Sequence, residues 1–425
     1  MLALILPLVL AACDLGTEFA NPAAWSVSAS EFVARHSADG FVFASQRQDV
    51  ANCMKRGGCT WNGLEVWESR VYCSTAGISK VEMSLYNRGD DKEDGLDSAE
   101  LGELLESIAS KAEPKGKMGG NPQKHKLRNG GFRFSKRWTN GPVNVDLAWG
   151  TDGVKAKDLT ADYVRVVMTP KGSSRPKGVD QAMRSVVSKS KIRTNVTRNG
   201  EGDVWIDNVP MVDQGQKGYC AAATSERILR YYGFDIDEHE IAQSAGTTAG
   251  GGTSVSDMRE TVRSIGSKCR LGFQSVVSMS GSIEDIEKGI ESYNKAAKSE
   301  GARELSMAEF VRGNVVSVPA IAAAMLPEVV LKSRLKDARF KRFLKGVTTQ
   351  VNQGIPLFWG VTLGMFPEPG LPQASGGHMR LIVGYNSKTH EILFTDTWGA
   401  GHELKRMPED KAFAITHDVF FLKPL

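Results

Sequence analysis

Residues Val212–Gly233 read VDQGQKGYCAAATSERILRYYG. Gly215 and Gly218 loosen the approach to Cys220, and Ala221 to Tyr232 carries good helix formers with apolar side chains at Ala222, Ile228, Leu229 and Tyr232. The spacing predicts a helix with Cys220 at its mouth, near the positive end of the helix dipole. A thiolate gains from that place, because backbone N–H groups and positive charge lower the cost of forming it; a structural cysteine gains nothing. Gln214, six residues before Cys220, adds a side-chain amide. With the Cys220 backbone N–H it predicts two donors aimed at an oxyanion developing on a carbonyl.

Two later segments supply a base and its partner. SGGHMRLIVGYN places His378 at the start of an apolar run, and FTDTWG places Asp396 ahead of Trp398-Gly399. The layout Gln214-Gly215-x-x-Gly218-x-Cys220, followed by the histidine strand and the Asp-x-Trp-Gly turn, resembles papain-like cysteine peptidases. The aspartate, the Tyr219-Cys220-Ala221 context and the tail Phe420-Phe421-Leu422-Lys423-Pro424 look most like the branch of bacteriocin-leader-processing peptidases. The resemblance implies an α+β chain: an N-terminal mixed α/β domain, then a papain-like fold with a helical half carrying the cysteine and an antiparallel sheet carrying His378 and Asp396. It implies peptide-bond hydrolysis with Cys220, His378, Asp396 and Gln214 as the catalytic residues, no metal and no cofactor. Cys220 and His378 stand 158 residues apart, slightly beyond the roughly 130–150 of papain-type enzymes. His378 and Asp396 stand 18 apart, enough for a strand, a turn at Asn386-Ser387-Lys388 and a return strand. The second cysteine and following aromatic of the plant enzymes are absent around Cys220, which moves the assignment to another branch and leaves the chemistry. Other acyl transfers on the same residues, such as amidase or transpeptidase chemistry, and a catalytically silent surface-binding lipoprotein are the alternatives.

The 425 residues, 41% apolar and 24% charged, describe an ordinary globular chain of two or three domains. A net charge of +4 is too weak to imply a nucleic-acid or acidic partner. MLALILPLVLAA at Met1–Ala12 is too short to span a bilayer and is followed by Cys13. It resembles a bacterial lipoprotein signal with Leu10-Ala11-Ala12-Cys13 as the lipobox, which implies lipidation of Cys13 and a place in the cell envelope, periplasmic or at the outer surface. The expected partners are a peptide or protein substrate and a membrane met through lipid, with no nucleic acid, for a monomeric chain. Setting Cys13 and Cys220 aside leaves Cys53, Cys59, Cys73 and Cys269 as possible disulfide partners in an oxidising compartment, with a bridge within the first three favoured. The three nearby cysteines lack a CxxC step or a neighbouring histidine, which argues against metal.

The expected organisation is a signal over 1–12, a tether over 13–24, a mixed α/β domain over 25–190, a polar linker over 191–202 and the peptidase domain over 203–425. In the first domain Val66–Ser74, Val81–Tyr86, Phe132–Asp152 and Ala161–Thr169 read as strands, and Leu96–Lys111 as a helix. The basic segment Pro114–Asn129 reads as a loop. Charges alternating with aromatics over Phe132–Trp138 read as the wet face of a strand. In the peptidase region Asp237–Ala245, Val255–Ile265, Ile283–Lys298, Ser306–Arg312 and a basic stretch Leu331–Gln350 read as helices. Ala249–Ser254 is a glycine-rich loop without the Gly-Lys-Ser/Thr ending of a phosphate cradle. Pro356–Leu363 reads as a central strand, and Met365–Gly377 as a loop that shapes substrate entry.

Overall fold

The computed structural model describes residues 13–88, 95–112, 121–127, 131–153, 159–173, 188–215, 218–245, 255–278, 282–313 and 315–425. The segment Met1–Ala12 read as a signal and the segment 249–254 read as a glycine-rich loop lie outside them. Helices and antiparallel sheets share the chain, which is α+β. It divides into two compact units, the first built mainly of described residues up to Ser173 and the second mainly of those from Ser188 on.

In the first unit an eight-stranded antiparallel sheet runs in the order 42–43, 50–53, 68–74, 77–87, 161–170, 143–151, 132–140, 123–126. Helix Ser98–Ala112 buries Leu101 and Ile108 in the same core as Val81, Leu147 and Val166. Gln123–Lys126, inside the segment read as a loop, is an edge strand on Phe132–Asn140. That second strand is not wet on its charged face: Arg133 and Lys136 are buried, and Arg137 grips Asp146 with two bonds of 2.8 and 2.7 Å. Cross-strand pairing turned an apparently solvated charge at Arg137 into a partnered, half-buried one.

Residues 13–24, read as a tether, are folded. Asp14 caps helix Leu15–Phe19 through Thr17 N and accepts from Thr60, Asn62 and Gly63, and Leu15 and Phe19 are fully buried. A helix of five residues is too short to show a period in sequence. Cys13 pairs in parallel with Cys59, and its thiol lies against Glu18, His36 and Asp39. All six cysteines are free thiols, in place of the bridge favoured within Cys53, Cys59 and Cys73. Cys53 and Cys59 do meet: the hydrogen bond from Cys59 takes Cys53 down to about 7, and the same bond pushes Cys59 up.

The second unit is a sheet of strands 196–198, 203–206, 376–386, 357–363, 416–424 and 271–278, with 391–395 and 405–408 continuing from 376–386. All of these pairs are antiparallel. Leu357–Leu363 is paired on both edges and nearly all of it is buried, as a continuous apolar run demands of a central strand. Phe358 stacks on Phe420 at 4.6 Å, and the buried Trp359 satisfies its N–H on Thr416. The expected linker is part of this unit, since Lys189–Arg193 is helical and Val196–Arg198 adds an edge strand to Asp203–Ile206. The basic stretch splits into Pro327–Leu335 and Ala338–Val351. Asp337 breaks it by capping the second helix at Arg339 N. Ser306–Arg312 is a 3₁₀ turn, Met307–Phe310, that runs into a short strand.

Asn386 fixes the hairpin that carries His378. Its side chain accepts from Lys388 and Thr389 N and donates to Asp203 at 2.7 Å. Asp203 also takes two bonds from Arg406, at 2.8 and 2.6 Å, and these bonds hold its carboxyl well below the usual range against the opposing effect of burial. Arg406→Ala is expected to lower the stability of this unit at neutral pH by about 1–2 kcal/mol, discounted for the half-exposed guanidinium. A depressed carboxylate stabilises above its unfolded value, so the difference should shrink as pH falls below about 4. Denaturant unfolding of both proteins at pH 7 and pH 3 measures this; an equal difference at both would exclude the ion pair as its cause.

Candidate active site

Helix Cys220–Tyr231 is buried on nearly every side, from Ala221 to Leu229 without a break. Such a helix must satisfy its polar groups internally, and it does. Thr224 donates to Met379 O, Ser225 to Ala221 O, and Glu226 accepts from Glu238 N. At its N-terminus no side chain caps the helix among the described residues. Cys220, the first residue of that helix, therefore stands at its uncapped end and is partly exposed.

His378 lies on strand Gly376–Asn386 opposite Val361 of the central strand. A register shift between Ile382 and Gly384 sets Thr395 opposite Leu381, so the chain enters Asp396 beside Arg380. Side chains two apart on a strand share a face. His378 and Arg380 accordingly converge on one carboxylate: His378 Nε2 lies 3.2 Å and Arg380 Nε 2.8 Å from Asp396 Oδ1. His378, Arg380 and Asp396 side chains are wholly enclosed. Trp398 stacks on the imidazole at 4.2 Å with the planes 2° apart. The turn that presents Trp398 needs Gly399, whose φ is +69° and whose added Cβ would meet Asp213 at 2.6 Å.

The electrostatics run along this line. Burial works against the Asp396 carboxylate, yet His378, His402 and Arg380 hold it far below the usual range. Burial likewise disfavours charge on His378, but Asp396 and Cys220 raise it above its ordinary 6.5. Burial opposes the Cys220 thiolate as well, and His378, with the Met379 and Ala221 backbone, lowers it below its ordinary 9.0. Both shifts favour a thiolate–imidazolium pair.

Gln214 is buried, with its N–H on Thr397 O at 2.8 Å and its Oε1 accepting from the Thr397 hydroxyl. The residue after Asp396 thus fixes which end of the amide donates. The sequence reading missed two arginines. Arg227, on the helix of Cys220, donates to Asp396 O at 2.6 Å, to Thr395 Oγ1 at 2.8 Å and to Pro210 O at 2.6 Å. Arg380 also pairs with Glu368, at 3.1 and 2.9 Å, which ties down the loop read as shaping substrate entry. Arg380 is two residues past His378 and reads as an outward charge on an apolar strand; its presence in a buried run was the available signal. Among the other histidines, His402 approaches Asp396 Oδ2 at 3.9 Å.

A thiol at the uncapped start of a buried helix, set against an imidazole held by a carboxylate on an antiparallel sheet, is the arrangement of a papain-like cysteine peptidase. Residues 208–275 match the Peptidase C39 family. No curated protein matches it. Among solved structures it is similar to xylellain, a cysteine protease from Xylella fastidiosa, at 12% identity over 60% of this chain and 99% of that one, with a TM-score of 0.26.

Asp396→Asn removes the anion that His378 and Arg380 share. The His378 pKa is expected to fall, read by NMR titration of the histidine side chains. An unchanged titration would mean that the carboxylate is not what sustains the imidazolium.

Proposed function

We propose that the protein hydrolyses peptide bonds through Cys220, His378 and Asp396, with Gln214 and the Cys220 backbone N–H as the oxyanion donors. The observation that carries this reading is the opposed displacement of two neighbouring groups, Cys220 downward and His378 upward. With ordinary values of 9.0 and 6.5 the charged pair would be a minority at every pH. Both displacements, Cys220 down and His378 up, move the balance toward the charged pair.

The thiolate attacks the peptide carbonyl carbon, forming a C–S bond while the carbonyl electrons move onto oxygen. Gln214 and the helix N–H stabilise that oxyanion. His378 gives its proton to the departing nitrogen as the C–N bond breaks, leaving an acyl-enzyme and a neutral imidazole. Water then attacks; His378 takes its proton, the C–S bond breaks, and the thiolate–imidazolium pair is restored as the acid leaves. Asp396 keeps the ring oriented and its charged form favoured, and Trp398 holds the ring plane.

Cys220→Ala should abolish turnover of a peptide substrate and labelling by a thiol-directed epoxide, with the fold kept. Gln214→Ala should lower kcat by about 10²–10³-fold. The pH profile of kcat/KM should be bell-shaped, rising as Cys220 ionises below 9.0 and falling as His378 deprotonates above 6.5. Turnover retained by Cys220→Ala would overturn the proposal.

The cell envelope is the proposed location, on the sequence of Leu10-Ala11-Ala12-Cys13. Lipid on Cys13 requires its thiol to leave the place it occupies against Glu18. Palmitate labelling in cells, lost in Cys13→Ser, is the expected outcome. An unlabelled wild-type chain excludes the anchor and leaves the peptidase reading intact.

A further inference from the structure

Between Pro327 and Val351 the chain carries seven Lys or Arg residues against two carboxylates, an excess of five where the whole chain has +4. The rest of the protein is therefore close to electrically neutral. Two helices hold this charge, Pro327–Leu335 and Ala338–Val351. Part of it is answered within the fold: Lys332 is paired with Glu300, Arg339 is paired with Asp337 at 2.7 Å, and Arg334 is engaged as well. Lys336, Lys341, Arg342 and Lys345 are exposed. Among the described residues, none of these four side chains has an ion-pair or hydrogen-bond partner.

The second helix sorts its residues by face. At 3.6 residues per turn, Ala338, Lys341, Arg342, Lys345 and Thr349 fall within an arc of about 100°, and all five are exposed. Phe343, Val347 and Val351 lie on the other side and are buried. No carboxylate occurs between Ala338 and Val351, so nothing on the helix itself answers its three free cations. Helix Ile283–Glu300 of the same unit shows the ordinary solvated alternative. Its lysines are mixed with Glu284, Asp285, Glu287 and Glu291, and Lys288 bonds Glu284 one turn away at 2.7 Å. Like charges one turn apart, as Lys341 and Lys345 are, destabilise a helix. A face of one sign, concentrated on one helix of a near-neutral protein, is complementary to an extended anionic surface.

Leu335 identifies which surface. It leaves 43% of its area exposed in the turn between the two helices, next to Lys336. A large apolar side chain among cations suits a bilayer interface, where the cations meet lipid phosphates and the leucine reaches the acyl boundary. A nucleic acid suits this face less, because Ala338, Lys341, Arg342, Lys345 and Thr349 include no aromatic ring on which a base could stack. We propose that Lys336, Lys341, Arg342 and Lys345 dock the protein on a phospholipid bilayer rich in anionic lipid. The apolar side of the helix stays in the protein core, so the contact is peripheral and made through the headgroups. This inference rests neither on the peptidase chemistry nor on lipid at Cys13.

The test is co-sedimentation of the full chain with two kinds of vesicle, phosphatidylcholine alone and phosphatidylcholine with phosphatidylglycerol in equal parts. The wild-type chain should bind the anionic vesicles at least about tenfold more tightly, and added salt should shrink the difference. Each basic residue near such a surface strengthens binding about fivefold, so Lys341→Ala/Arg342→Ala/Lys345→Ala should weaken it about 100-fold. Lys288→Ala/Lys295→Ala/Lys298→Ala removes the same charge from helix Ile283–Glu300 and should leave binding nearly unchanged. Leu335→Ser should weaken binding while its salt dependence stays as it was. All the substituted side chains are exposed, so the fold should be kept, as circular dichroism checks. Any binding due to residues 1–12 is common to every variant and is measured by the neutral vesicles. Equal binding to the two kinds of vesicle, equal losses in the two triple variants, or tighter binding per phosphate to a duplex DNA oligonucleotide overturns the proposal.

Discussion

The buried carboxylate of Asp396 is the constraint on which the catalytic unit depends. Its side chain receives His378 and Arg380 on one oxygen, with Lys405 at 3.5 Å from the other. An anion so enclosed is tolerable only with its charge answered and its lone pairs used. The protein answers it with cations from the same sheet, and one of them is the imidazole of the proposed mechanism. The charge balance that the fold requires is made by the same atoms that the proposed reaction would use.

Arg227 extends this constraint to the helix. A fully buried guanidinium on the helix of Cys220 grips the Asp396 carbonyl and Thr395, while Thr224 bonds Met379 next to His378. The thiol and the imidazole come from segments 158 residues apart in sequence, and these bonds set their separation. Precise placement of this kind is worth more to a reaction than any single contact energy suggests, because misplacing reacting groups by an ångström is costly. Glu368, through Arg380, brings the Pro/Gly-rich loop under the same control.

Much of this was legible in the chain. The helix of Cys220, the central strand at Leu357–Leu363 and the hairpin between His378 and Asp396 are local patterns, fixed by apolar periodicity and turn chemistry over a few residues. Errors fell where a pattern was short or where a pairing partner lay far off. The five-residue helix at Leu15–Phe19 carries no period, the break at Asp337 is one capping bond, and the charges of Phe132–Trp138 read as solvated until Asp146 was opposite them.

The sequence by itself pointed to Cys220, His378, Asp396 and Gln214 as candidate reacting residues, because catalysis by a thiol uses those types near a helix start, a strand and a turn. The tertiary structure decided what holds them: Arg380, Arg227 and Glu368, and the stacking of Trp398 on His378. It also decided that Cys13 meets His36 and Asp39. Those facts could not be read from the chain because charge compensation in a low-dielectric interior depends on distance through space, and sequence order carries no such distance.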